Sequence, residues 1–278
     1  MSISVLILTL NEEQNLPVCL PSLSWCDDIV VLDSYSCDKT KELTLAAGAR
    51  FIQRTFDNYA AQRNYGLNDI SYKHDWLLMV DADEAVPSEL VAEMQAQLKN
   101  GGKDTTIYRM RRKDHFLGKW IKHSSGYPTW FGRLIKIGSV QVEREINEEY
   151  VTDGEVGYLQ EHLDHYPFNK GIASWIDKHN RYSTMEARLL IEGGLATPSF
   201  GEFFSSDPTD RRRAVKGIVY RMPGRPLAMF FALYILKRGF LDGSAGFVFS
   251  VLRAFYEFMI NCKVKEYKKS QQTPGKSR

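Results

Sequence analysis

The chain has 278 residues, of which 44% are hydrophobic, 25% charged and 12% aromatic, a composition that excludes a disordered tail protein, a coiled coil and a collagen-like repeat. A net charge of +2 conceals two opposed parts: residues 211–278 carry 15 Lys/Arg against 3 Asp/Glu, and residues 1–210 carry 21 against 31. An acidic body with a basic, aromatic-rich tail implies two surfaces with two jobs.

Short aliphatic and β-branched runs at Ile3–Leu10, Ile29–Asp33, Arg50–Arg54 and Trp76–Val80 alternate with helix-compatible stretches. That alternation is the pattern of βαβ units on a parallel sheet. No basic segment precedes the first run, so no secretory leader is expected. Cys19, Cys26, Cys37 and Cys262 lie far apart with no CxxC pair, which fits a reduced, cytoplasmic setting. Ser36 or Asp38 caps the helix after the second strand, and Gly48 ends it. A further helix starts near Ser88 and stops near Asn100. From Thr105 to about Tyr166 the strands become shorter and more polar, broken by Gly118, Gly126, Gly132, Gly138 and Gly154. This stretch is expected to extend and cover the first sheet. Asn169–Leu190 reads as helical, and Glu192–Arg225 as a connection. The expected organisation is an α/β domain over 1–190 in two halves (1–100 and 101–190), followed by a linker and helical tail over 191–278.

Chemistry gathers at strand ends. The apolar run Trp76-Leu77-Leu78-Met79-Val80 leads directly into Asp81-Ala82-Asp83-Glu84, and open α/β sheets bind ligands at the carboxyl ends of their strands. Period-two spacing points Asp81 and Asp83 the same way. Two hard oxygen donors there suit Mg²⁺ or Mn²⁺ carrying phosphate oxygens, although a strand-end turn with solvated acids gives the same residues. The first strand ends in Thr9-Leu10-Asn11-Glu12-Glu13 and the second in Asp33-Ser34-Tyr35-Ser36-Cys37-Asp38. Polar residues therefore collect at three strand ends, as a nucleotide pocket requires. Asp33 can accept a hydrogen bond from a base imide, Glu12 can reach ribose hydroxyls, and Arg63 in Gln62-Arg63-Asn64-Tyr65-Gly66-Leu67 can neutralise a pyrophosphate.

The ordered set TLNEE, VVLDSYSCDKT, QRNYGL and LLMVDADE resembles the N-terminal half of family 2 glycosyltransferases, inverting enzymes of GT-A fold that use nucleotide sugars. The resemblance implies that the residue at Asp33 contacts the base, that Asp81 and Asp83 form the DxD pair, and that Asp83 is the main metal ligand. Arg133-Leu134, Ile146-Asn147-Glu148, Gly157-Tyr158-Leu159 leading to His165-Tyr166, Arg181-Tyr182-Ser183-Thr184 and Gly239-Phe240-Leu241-Asp242-Gly243 are similar to the subgroup that adds a sugar, often glucose, to the heptose region of bacterial lipopolysaccharide core. Where that subgroup commonly shows Val-His-Glu, this chain has Ile146-Asn147-Glu148, so the Glu is kept and the His is not. Glu148 is the expected base, Glu145 the runner-up, and His165 a further metal ligand.

In the tail, Phe247–Cys262 places Ser250, Arg253, Glu257 and Asn261 on one narrow helical stripe and apolar residues elsewhere. Basic residues flank this segment and the apolar run Pro226–Leu236, which suits helices lying on an anionic membrane surface rather than nucleic acid. No uncharged apolar stretch reaches the roughly 20 residues of a spanning helix. The expectation is a peripheral inner-membrane enzyme moving glucose from UDP-glucose to a lipid-linked saccharide with the help of Mg or Mn. Transfer to a polyprenyl-phosphate-linked glycan is the nearest alternative. A dehalogenase-type phosphatase is disfavoured because Glu84-Ala85 follows Asp83, and a nucleotidyltransferase because the loop after the first strand is acidic. The non-enzymatic rival is a sugar-nucleotide-binding membrane adaptor.

Overall fold

A computed structural model describes residues 3–100, 104–143, 149–192 and 224–272. The strands are β1 (Ser4–Thr9), β2 (Ile29–Asp33), β3 (Arg50–Gln53), β4 (Trp76–Asp81), β5 (Glu84–Ala85), β6 (Thr105–Phe116), β7 (Lys119–Trp120), β8 (Trp130–Lys136), β9 (Gln141–Glu143), β10 (Glu149–Val151) and β11 (Glu155–His165). The helices are α1 (Leu16–Cys19), α2 (Thr40–Ala46), α3 (Tyr59–Asn68), α4 (Ser88–Asn100), α5 (Gly171–Ile191), α6 (Arg225–Phe231) and α7 (Gly243–Gln272). The chain divides into two compact units, residues 1–115 with 127–170, and residues 116–126 with 171–278. Helix α5, placed by sequence with the catalytic half, thus groups with the tail.

The first unit is built on a sheet of order β3-β2-β1-β4-β8-β6-β11-β5. Strands β3, β2, β1 and β4 run parallel, whereas β8 lies antiparallel between β4 and β6, and β11 runs parallel to β6. Alternation along the central strands feeds two cores. Val5, Ile7, Leu78 and Val80 pack with Leu16, Leu90 and Met94 on one face. Leu6, Leu77 and Met79 pack with Ala60 and Leu67 on the other. The sheet is therefore covered by α1 and α4 on one side and α3 on the other, the doubly wound α/β arrangement expected. A Cβ at Gly66 would overlap the Leu6 Cδ2 methyl, so this glycine permits α3 to approach β1 closely.

Topology decides where the site lies. Because β4, β6 and β11 point the same way and β8 the opposite way, Asp81, Asp114, His165 and the start of β8 all arrive at one edge. A cavity of about 560 Å³ lined by Asp104, Thr106, Lys136 and Gly154 sits at the start of β6 and the end of β8, the opposite edge.

In the second unit, α5 and α7 are joined by Lys263, whose ammonium donates to Asn180, Ser183 and Thr184. The Arg181-Tyr182-Ser183-Thr184 motif thus holds a lysine of the tail. Asp242 accepts from the backbone N–H of His123 and from the backbone N–H and hydroxyl of Ser124, and it pairs with His123 Nδ1 at 2.7 Å. A Cβ at Gly246 would overlap the Gly239 carbonyl, and one at Gly239 would crowd the Leu233 carbonyl, which explains glycine on both sides of this carboxylate. Arg225 pairs with Glu257 inside the unit. The polar stripe of α7 faces inward: Ser250 is 0% and Glu257 3% exposed, while Phe247, Val251, Phe255 and Phe258 are exposed. By length and composition Gly239–Ser270 is the one helix among the described residues able to cross a membrane. Counting only uncharged runs hid it, because Arg253 and Glu257 interrupt the apolar sequence.

Candidate active site

The end of β1 and the loop after β2 are laced together. Asn11 donates its backbone N–H to Ser36 Oγ at 2.7 Å, and its side-chain oxygen accepts from the Cys37 N–H at 2.8 Å. The Glu12 N–H donates to Thr40 Oγ1 and the Glu13 N–H to Asp38 Oδ2. Asp38 also accepts the Thr40 N–H at the start of α2, but from one residue before the N-cap position, Lys39, which makes no side-chain cap bond, and Ser36 serves the β1 loop instead. Asn11 adopts φ of 55°, a left-handed conformation that Asn tolerates better than most residues.

Several expected roles change on the geometry. Asp33, expected to meet the base, is fully buried and accepts from the Thr9 hydroxyl, from the Ser36 N–H and hydroxyl, and from Gln53. It shapes the loop rather than presenting a free carboxylate. Thr9 is likewise buried, its hydroxyl committed to Asp33. Glu12 pairs with Lys170 at 2.6 Å and accepts from Asn15 at 2.6 Å. Burial pushes the Glu12 carboxyl up, outweighing the Lys170 ammonium. Arg63, expected at a pyrophosphate, is 4% exposed and bonds Asp81 Oδ1 at 2.9 Å. Its neighbours serve other elements. Gln62 donates to Ser34 Oγ. Asn64 clamps β9 through both atoms of its amide, accepting the Val142 N–H at 2.9 Å and donating to the Val142 carbonyl at 2.7 Å.

A chain of alternating charges runs along the sheet edge. Arg63 and Arg133 each take one oxygen of Asp81, at 2.9 and 2.5 Å. Arg133 also bonds Glu84 at 2.7 Å, and Glu84 accepts the Asp81 N–H at 2.9 Å. Arg112 lies 3.4 Å from Glu84 and 3.1 Å from Asp114. Asp114 bonds His165 Nδ1 at 2.6 Å, and His165 Nε2 lies 3.3 Å from Asp83 Oδ2. Burial opposes the charge on Asp81, but Arg133 and Arg63 outweigh it and hold the carboxyl well below the usual range. Burial and Arg112 disfavour an imidazolium at His165, yet Asp83 and Asp114 raise its pKa above the ordinary value.

These contacts separate the two acids that period-two reasoning had paired. Asp81 closes β4, and both its oxygens are taken by guanidinium groups, so it is withdrawn from the metal-ligand set. Asp83, in the turn before β5, sits beside an imidazole nitrogen. A metal-binding His characteristically gives its other ring nitrogen to a carboxylate, as His165 does to Asp114. The carboxylate oxygen suits Mn²⁺ or Mg²⁺ that takes its remaining ligands from phosphate and water, and an imidazole nitrogen beside it favours the softer Mn²⁺. Among the described residues no group of three or more His, Cys, Asp or Glu could hold a metal. The donors present fit a shared protein–substrate site.

Glu84, Arg112, Asp114 and Lys170 were missed as site residues. The spacing of Arg112 and Asp114 on β6 was the available signal, since polar residues two apart in a strand share a face. Glu148 and Glu145 lie outside the described residues. Their flanks are described: β9 and β10 pair antiparallel with Glu143 opposite Glu149.

Arg133 and Glu84 are nearly sealed, with side chains 4% and 0% exposed. Arg133→Met is expected to lower stability by about 3–5 kcal/mol, because Glu84 and Asp81 lose their common partner. Urea unfolding checks this, and Arg133→Met with Glu84→Gln should recover part of the loss. An unchanged midpoint for the single variant would remove the network from the account of stability.

The sequence model described as Glycosyl transferase family 2 matches residues 4–166. Across almost its whole length the chain is similar to the lipopolysaccharide core biosynthesis glycosyltransferase LpsC of Rhizobium meliloti (strain 1021), with 26% identity over 94% of this chain and 91% of that one. An uncharacterized glycosyltransferase of Rickettsia felis is 24% identical over 95% of this chain and 89% of its own. Among solved structures, glucosyl-3-phosphoglycerate synthase from Mycobacterium tuberculosis, in complex with Mn²⁺, UDP and glucosyl-3-phosphoglycerate, aligns at 25% identity and a TM-score of 0.35 over 40% of this chain and 44% of that one. With more than half of the chain matched, from β1 to the residue after His165, this chain belongs to glycosyl transferase family 2 and is a nucleotide-sugar glycosyltransferase.

Proposed function

We propose that the chain transfers one sugar, glucose from UDP-glucose, with inversion onto a lipid-linked saccharide, the heptose region of lipopolysaccharide inner core, at the cytoplasmic face of the inner membrane. The observation that carries this reading is His165, tied to Asp114 through one ring nitrogen and 3.3 Å from Asp83 through the other, at the carboxyl edge of the parallel strands, where open α/β sheets bind ligands. Glucose as the sugar rests on the motif resemblance, and the core acceptor also on the likeness to a core biosynthesis enzyme.

Asp83 and His165 would hold a Mg or Mn ion. When bound, that cation stabilises negative charge on the diphosphate. Every other task falls to the chain. Arg63 and Arg133 fix Asp81, and Asp114 fixes the ring of His165. Asn11 and Glu12 line the laced loop that receives the nucleoside, and Thr9 and Asp33 set its shape. Glu148 takes the proton of the acceptor hydroxyl as that oxygen bonds to the anomeric carbon and the bond to the diphosphate breaks. Attachment to the acceptor's membrane is supported by the exposed apolar face of α7 and the basic residues beside it.

The test uses purified full-length protein and lipopolysaccharide from cells lacking it. Incubation with UDP-glucose and Mn²⁺ is expected to add the mass of one hexose to the inner core by mass spectrometry. A gain with a different donor alone would replace the sugar, and no gain with any nucleotide sugar would remove the acceptor.

A further inference from the structure

We infer that α7 lies in the plane of an anionic bilayer, with Phe247, Val251, Phe255 and Phe258 at the acyl boundary and its opposite face kept on the protein. The inference rests on the membrane reading above and specifies its geometry.

The exposed positions recur at intervals of four, four and three residues, which makes one stripe along the helix. At 1.5 Å per residue the stripe runs for about 16 Å. The other side, Gly246, Ser250, Glu257 and Ile260, is buried in the unit. Stripe and anti-stripe are inverted relative to a helix of a water-soluble domain, since Ser250 and Glu257 are inside and Phe247, Phe255 and Phe258 outside.

A spanning helix does not fit these contacts. Passage through the hydrocarbon would carry Ser250 and Glu257 with it, and Glu257 is paired with Arg225 of α6. Helix α6 and the π turn after it cover only Arg225–Leu236, about 18 Å at helical rise and short of the roughly 30 Å hydrocarbon core. The pair would have to break, leaving charged groups where they are costly. In the plane it stays intact. Helix α6 then lies beside α7 through Phe230 and Tyr234, whose rings stand 5.9 and 5.5 Å from Phe247.

Charge selects the occupant. Of the three acids in residues 224–272, Asp242 and Glu257 are buried with His123, Ser124 and Arg225, and only Glu266 is exposed. Lys237, Arg238, Lys265 and Lys268 are exposed at the ends of the apolar face. A two-fold contact would set such a face against its own copy, bringing like charges together, whereas an anionic leaflet complements it.

The experiment uses the full chain with Cys26→Ser, Cys37→Ser and Cys262→Ser, Cys19 being buried. Nitroxide labels are placed singly through Phe247→Cys, Val251→Cys and Phe258→Cys, with the fold of each checked by circular dichroism. Sedimentation with sealed phosphatidylethanolamine/phosphatidylglycerol vesicles comes first, and its failure would remove the membrane reading itself. Oxygen and nickel accessibility then give depth. The expected result is one shared shallow depth for all three labels, within about 10 Å of the headgroup boundary. Ser244→Cys and Ser270→Cys are both expected to react with an impermeant maleimide added outside. A depth difference near 16 Å between positions 247 and 258, with only one end reactive, would establish a span and overturn the inference. Labels left in water on sedimenting protein would overturn it in favour of charge alone. Labels buried in a vesicle-free dimer would reassign the face to a second copy.

Discussion

Asp83→Asn is expected to abolish nearly all sugar transfer and most of the stimulation of UDP binding by Mn²⁺. An amide keeps the shape of the side chain but removes the charge that a hard cation requires. Titration calorimetry with UDP, run with and without the ion, checks the binding, and initial rates check the transfer. Because Asp83 stands outside the arginine pairs, the unfolding midpoint should stay near that of the parent. Asp81→Asn should do the reverse in stability, since it leaves Arg63 and Arg133 buried beside a neutral group. Full activity of the Asp83 variant, or of protein freed of metal by EDTA, would remove the cation from the reading.

Glu148→Gln is expected to reduce turnover by a factor on the order of 10² to 10⁴, the usual worth of a positioned general base. Affinity for the donor should change little, because the acid acts on the acceptor hydroxyl. The comparison is Glu145→Gln, three residues earlier in the same acidic run. Loss of turnover in the Glu145 variant with a normal Glu148 variant would transfer the role. Normal turnover in both would set aside carboxylate catalysis from this segment.

The strands of the parallel half were legible because their apolar runs are long and alternate. Expected bounds of Ile29–Asp33 and Trp76–Val80 compare with Ile29–Asp33 and Trp76–Asp81. The helix expected over Asn169–Leu190 forms over Gly171–Ile191. The mixed half was less legible, since β8 inserts between β4 and β6 against chain order, a pairing that no local pattern encodes. Convergence of polar residues on one edge was readable from strand ends. The partner that each charge would choose was not. Asp81 and Asp83 look equivalent in sequence, and only the arrival of Arg133 from β8 and Arg63 from α3 sets them apart. In α7 the periodicity marked a polar stripe correctly, but the buried Arg225–Glu257 pair determines which way that stripe faces.

The hairpin of β9 and β10 is separate from the main sheet. Two fastenings tie it down: the Asn64 amide on Val142, and the Tyr150 ring, which lies against the bare backbone of Gly132. The hairpin is thus held to the rest of its unit by side-chain contacts and not by a strand ladder, so removing the Asn64 amide is expected to loosen β9 while leaving the pairing of the main sheet intact.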